Sequence, residues 1–255
     1  MDLLAVTAGF AVGAIVGVTG VGGGSLMTPL LIGVFRLNPA VAIGTDLWFA
    51  AITKAGGSWA HQRLGHVDRR ITLLMLAGSL PATLVMIGWM HAGGARPAWN
   101  AALGAALGAA LLLTAVSVVY RHRWAAVGLR LERVLAARRR DALTVAAGAA
   151  LGVLVSLSSI GAGALGATLL VLLHPRLAPQ RVVGTDIAHA VPLTLLAGIG
   201  HATLGHVNWP LLGTLLVGSL PGIWLGSRLT RVLPEHWVRG ALALSLTAAG
   251  LKVLA

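Results

Sequence analysis

Apolar positions along this chain neither alternate nor keep to one stripe of a helix. They fill whole runs, at roughly 3–18, 25–35, 40–60, 71–91 and 98–119, and again at 141–156, 163–174, 180–203, 209–227 and 237–254. Continuous runs of this kind predict helices that are apolar all round, the pattern of a bilayer-embedded chain. A β-barrel would show alternating positions instead. The predicted fold class is therefore an all-α integral membrane protein.

The breaks between runs repeat. "RLNPAVAIGTD" from Arg36 matches "RLAPQRVVGTD" from Arg176. Gly44-Thr45-Asp46 and Gly184-Thr185-Asp186 differ by 184 − 44 = 140 positions. Leu64-Gly65-His66-Val67 and Leu204-Gly205-His206-Val207 keep that offset, as do Gly78-Ser79-Leu80-Pro81 and Gly218-Ser219-Leu220-Pro221. Several ungapped blocks at one spacing mark a duplication. The expected division is a first transmembrane repeat at 1–120, a basic cytoplasmic linker at 121–140 and a second repeat at 141–255.

Charge orients the two halves. The link at 61–70 holds Arg63, Arg69 and Arg70, whereas its partner at 201–208 has no Lys or Arg. Equivalent links of opposite charge bias belong on opposite sides of a membrane. Arg121, Arg123, Arg130, Arg133 and Arg138 to Arg140 place the central link in the cytoplasm, and Arg228, Arg231 and Arg239 do the same for 228–239. Walking the chain with these anchors makes 141–174 a hairpin that enters the membrane and returns. By symmetry 3–35 is another, entering from the opposite side; Arg36 and Lys252 run mildly against the scheme. The expectation is two inverted repeats, each a re-entrant broken hairpin plus three transmembrane helices. The rival is eight or more ordinary spans. Trp59, Trp89, Trp99, Trp124, Trp209 and Trp237 fall near segment ends, where interfacial anchors belong.

Composition sharpens this picture. Of 255 residues, 57% are hydrophobic and 10% charged, against about 25% charged in a soluble domain. The net charge of +12 sits in the short links, so it reads as topology and excludes nucleic acid as the expected partner. The chain has no cysteine, which removes thiol chemistry and Cys-ligated metals. Met1-Asp2-Leu3 carries no positive n-region and reads as mature sequence. The expected partners are the lipid bilayer, a small anion and, as a further candidate, protons. Cofactors and metals are expected to be none, and the oligomeric state stays open.

The candidate chemistry lies in the breaks. "TGVGGGSLMTP" puts glycines between two apolar runs, and "SLSSIGAGALGATLL" follows in the second half. Irregular backbone at membrane depth leaves N–H and C=O groups to be satisfied by protein or by a watery cavity. A helix restarting after such a break directs its free N–H groups and positive dipole end back at it, which suits an anion. The expected anion ligands are therefore Gly22, Gly23, Gly24, Ser25 and Thr28 from the first half and Ser158, Ser159, Gly161, Ala162 and Gly163 from the second. Lys54 is the candidate counter-charge. The alternative is that these glycines only let helices pack closely.

Asp46 and Asp186 stand at matching places within long apolar helices, and His189 and Lys54 lie deeper. Such groups are costly in a bilayer and face a partner or cavity. They are candidates for proton coupling or for bracing the hairpins; capping near a helix start is the other reading of the aspartates, and snorkelling that of Lys54. The pairs His61/His66 and His201/His206 lack metal-ligand spacing. An intramembrane hydrolase using Ser158 or Ser159 with His189 or His201 is a weaker alternative, because no spacing fixes a nucleophile and base.

"GVTGVGGGSLMTPLL", "AIGTDLWFAAITKAGGSWAHQRLGHVDRRI" and "GSLPATLV", with "VVGTDIAHA", "HATLGHVNW" and "GSLPGIWLGSRL" after them, resemble the sulfite exporter TauE/SafE family of membrane permeases. The likeness covers nearly the whole chain. It implies a non-enzymatic secondary transporter of sulfite, sulfoacetate or related organosulfur anions, commonly an exporter, in a bacterial inner membrane. Alternating access of the repeats would move the anion, with uptake by cation symport as the alternative. The second Gly-rich segment, Gly161-Ala162-Gly163-Ala164, is poorer in glycine than the first.

Overall fold

The computed structural model describes residues 3–19, 24–93, 97–229 and 235–254. These form helices α1 (Leu3–Thr19), α2 (Gly24–Gly33), α3 (Pro39–Arg63), α4 (Arg69–Gly93), α5 (Pro97–Val119), α6 (Arg121–Val134), α7 (Ala137–Ser158), α8 (Ala164–Leu173), α9 (Pro179–Thr203), α10 (Trp209–Leu229) and α11 (Glu235–Leu254). Among the described residues five helices are long and apolar enough to cross a membrane, lying in α4, α5, α7, α9 and α10. Large apolar side chains such as Leu73, Leu84, Val85, Trp89 and Leu244 point outward, as lipid-facing positions would.

Element ends follow local chemistry. The Asn38 side chain accepts the Val41 N–H at 2.9 Å, and Pro39 occupies the first turn of α3. Leu64-Gly65 and Leu204-Gly205 end α3 and α9, with both glycines in the left-handed region. α2 and α8 have ten residues each, so each rises only about 15 Å, half of a bilayer core of roughly 30 Å.

Two pairs of helices are joined by glycines. A Cβ on Gly9 or Gly13 of α1 would strike the backbone of Leu215 or Ser219 in α10. One on Gly148 or Gly152 of α7 would strike Met75 or Ser79 in α4. Contact positions rise together along both partners, so each pair runs parallel. Bare backbone at these points lets the axes approach closely.

α3 and α9 form the centre and run antiparallel. Gly44, early in α3, abuts the carbonyl of His206, just past the end of α9, and Gly184 abuts the carbonyl of His66, just past the end of α3. The Asn208 N–H donates to Thr45 Oγ1 at 3.0 Å, and the Asp68 N–H to Thr185 Oγ1 at 3.0 Å. The first two residues of each Gly-Thr-Asp block thus lock one half of the chain onto the turn of the other. Around this centre pack Ile43, Leu47, Leu103, Val155, Ala190 and Leu193.

The basic link is helical. α6 covers most of 121–140, and the last residues open α7. Gly128 lies against the carbonyls of Val171 and Leu172 in α8. Glu132 accepts from Arg140 Nη1 at 3.1 Å and from Arg176 Nε at 2.9 Å, joining α6 to α7 and to the link after α8. Beside that network, burial and the Arg140 charge lower the pKa of His174, whose Nε2 lies 3.0 Å from Thr144 Oγ1.

Candidate functional site

The second break is described completely. α7 ends on Ser158, Ser159 takes the left-handed conformation with φ 59°, and Gly161 and Gly163 have φ 127° and 143°. Only glycine adopts the last two readily. The chain then restarts as α8, with the Gly166 N–H bonded to Gly161 O and the Ala167 N–H to Gly163 O. Ser158 is spent on this turn: its Oγ donates to Leu154 O at 2.7 Å and accepts the Ile160 N–H at 3.2 Å. Ser159 Oγ is buried with no hydrogen-bond partner.

The first break is described in part. Gly22 and Gly23 lie outside the described residues. Gly24 and Ser25 are described through the backbone only, as the start of α2. Thr28, one turn on, is buried and donates its hydroxyl to the Asp46 carboxylate.

Asp46 joins the two breaks. One side of its carboxylate takes the Thr28 hydroxyl of α2, and Ser159, at the end of α7, stands beside it. Its Oδ1 is buried without a hydrogen-bond partner. Asp186 sits at the N-terminus of α8. The Gly163 N–H faces its carboxylate, and a Cβ on Gly166 would run into its Oδ1, which also lacks a partner. Lys54 Nζ donates to Ala162 O in the turn and lies within electrostatic reach of both carboxylates. All three ionisable side chains are at most 7% exposed.

These placements revise the other readings of the sequence. Neither aspartate caps its own helix: Asn38 caps α3, and α9 starts at Ala178 without a side-chain cap. Lys54 does not reach for the membrane edge. His189 is fully buried, with Nε2 3.0 Å from Ser79 Oγ of α4. His201 of α9 is buried, with Nε2 2.9 Å from Ser156 O of α7. The rings of His61 and His66 are 5.7 Å apart, and those of His201 and His206 5.5 Å. Among the described residues no group of three or more His, Cys, Asp or Glu could hold a metal ion.

Sequence reading missed the parts played by Gly166, Ser79 and the two motif threonines. Ser79, Thr45 and Thr185 belong to repeated blocks, which was a usable signal. Gly166 belongs to none.

Five span-capable helices among the described residues, two ten-residue helices and a buried ionisable cluster where they meet make the construction of a membrane carrier. The family model for the sulfite exporter TauE/SafE matches residues 5–253. The chain belongs to the TauE/SafE family. It is 36% identical to the probable membrane transporter protein YjnA of Bacillus subtilis, with all of both chains covered. It is 28% identical to YdhB of the same organism, also a probable membrane transporter protein, over 96% of this chain and 97% of that one. A probable membrane transporter protein of Xylella fastidiosa is 26% identical over 99% and 94%. No solved structure matches. This TauE/SafE chain is thus a multi-pass membrane transporter.

Proposed function

We propose that the protein is a secondary transporter of small sulfur-containing anions, such as sulfite, sulfoacetate or related organosulfonates, and that it exports them across the inner membrane. The observation that carries this reading is the meeting of both hairpins at one buried cluster. Asp46 holds Thr28 of α2 and stands beside Ser159, while Lys54 holds the turn before α8. The anion site lies between the starts of α2 and α8. Backbone N–H groups of Gly22 to Gly24 and of Gly161 to Gly163 serve as donors, with the hydroxyls of Ser25 and Ser159, and Lys54 supplies the counter-charge. Thr28 and Ser158 shape the pocket, since their hydroxyl protons are already engaged.

The α1–α2 and α7–α8 units are re-entrant hairpins in this reading, and α3, α4, α5, α9, α10 and α11 are the six spans. Antiparallel α3 and α9 support an inverted relation of the halves: two equivalent helices that cross in opposite directions belong to repeats entering from opposite sides. The two halves rock against each other across the α3–α9 seam to expose the site alternately. An interior-negative potential favours exit by about 2.3 kcal/mol per charge per 100 mV.

Flux in proteoliposomes tests this. Sulfite and sulfoacetate are expected to cross faster than sulfate, and a negative interior is expected to speed their exit. Flux of metal cations or amines, with no anion flux, rejects the proposal.

A further inference from the structure

We propose that Asp186 is a tethered competitor of the transported anion: its carboxylate occupies the N-terminus of α8, and anion binding there requires that carboxylate to take up one proton. This rests on the anion reading of the same site.

A helix N-terminus attracts an anion through unpaired N–H groups and its dipole. At α8 the position is already filled. The helix has no cap from its own side chains, its N-cap being Gly163. The acid there comes from α9 instead. Asp186 is 4% exposed and fits so closely over Gly166 that a methyl group there would overlap Oδ1. That oxygen has no hydrogen-bond partner, although the Gly163 N–H faces the carboxylate. An unsatisfied carboxylate oxygen buried on a helix start occupies the ground that an oxyanion of the substrate would need.

Charge counting supplies the second half of the argument. From α3, Lys54 faces Asp186, and the same lysine lies within electrostatic reach of Asp46. Its own helix adds His189, next to Ser79 of α4. The charged residues of α4 and α7 lie in their terminal turns, where Arg70 pairs with Asp141, and α8 carries none. Two acids therefore face one base, whose Nζ donates to a carbonyl. A further anion placed on the same N–H groups would meet a like charge where little water screens it. Protonating Asp186 removes that charge and turns the competitor into a hydrogen-bond donor for the newcomer. The proton then travels with the anion. A monovalent anion would move electroneutrally, whereas a divalent one would still carry net negative charge outward and keep its electrical drive.

Ethanesulfonate is a suitable probe because it stays fully ionised. Its binding to the full-length protein in lipid nanodiscs, followed by tryptophan fluorescence between about pH 6 and pH 8, is expected to weaken as pH rises, by up to about tenfold per unit. Asp186→Asn is expected to remove that slope and to bind at high pH as tightly as at low pH. A weakly buffered titration of the wild type should show one proton taken up per anion bound, which needs no variant. Binding without proton uptake, or an unchanged slope in Asp186→Asn, overturns the competitor and leaves the anion site standing. If neither ethanesulfonate, sulfite nor sulfoacetate binds, the anion site itself is rejected, and the competitor with it.

Discussion

At the residue scale, the buried cluster is a set of obligations. Lys54 lies within electrostatic reach of both Asp46 and Asp186, and breaking a buried charged set costs more than the set contributes. Lys54→Met is expected to cut anion flux at least about tenfold, because the counter-charge of the site is gone. Lys54→Arg should restore part of it. Equal flux in all three would detach Lys54 from the site. Gly166→Ala probes the same cluster from the helix side. Its methyl group meets the Asp186 carboxylate, so an unfolding measurement should show a loss of about 1–3 kcal/mol. A neutral outcome would mean that the carboxylate has room to move.

At the element scale, the glycines divide into two kinds. Gly13 and Gly152 sit against the backbone of a parallel partner helix. A Cβ on Gly104 would meet nothing within 4 Å, although this glycine occurs in an equally small-residue run. Leucine at Gly13 or Gly152 is expected to push α1 from α10 or α7 from α4 and to lower the yield of folded protein severalfold. Alanine at Gly104 should be tolerated. Fluorescence-detected size-exclusion profiles of the three variants check this. The sequence marks all three positions alike, because small-xxx-small spacing does not say whether another helix lies opposite. The repeated Gly-Ser-Leu-Pro blocks were better guides: Gly78 and Gly218 both press on a neighbouring backbone, at Val145 and Val6.

At the scale of the whole molecule, the inverted arrangement proposed for the two halves makes a direct prediction. The chain has no native cysteine, so single cysteines report cleanly. Leu64→Cys, in the link after α3, is expected to react with a membrane-impermeant maleimide from the cytoplasmic side. Leu204→Cys, at the equivalent place after α9, should react from the other side. Labelling of both from one side would place the repeats in the same orientation and remove the alternating-access scheme.

Much of the architecture was legible beforehand, for reasons that differ element by element. Helix positions followed the apolar runs to within a few residues, because lipid demands closed backbone bonding over every span. The conformation of the basic linker was not read from the sequence. Arg121–Val134 is helical because Glu132 and Gly128 tie it to α7 and α8, and those ties cross the chain. The two aspartates were found by their offset of 140, but their duties were not. A sequence states that a carboxylate lies in an apolar helix; it does not state which hairpin that carboxylate meets.

The sequence by itself determined the class, the duplication and the places where helices break, since each depends on hydropathy, repetition or backbone chemistry that is local in the chain. Only the tertiary structure decided that Thr28, Asp46 and Ser159 converge and that Lys54 holds the turn before α8. It also decided that Asp186 fills the start of α8. These are contacts between residues up to more than a hundred positions apart. They are selected by the packing of α3 against α9 and by the cost of leaving buried charge unaccompanied, and neither is written in any one segment.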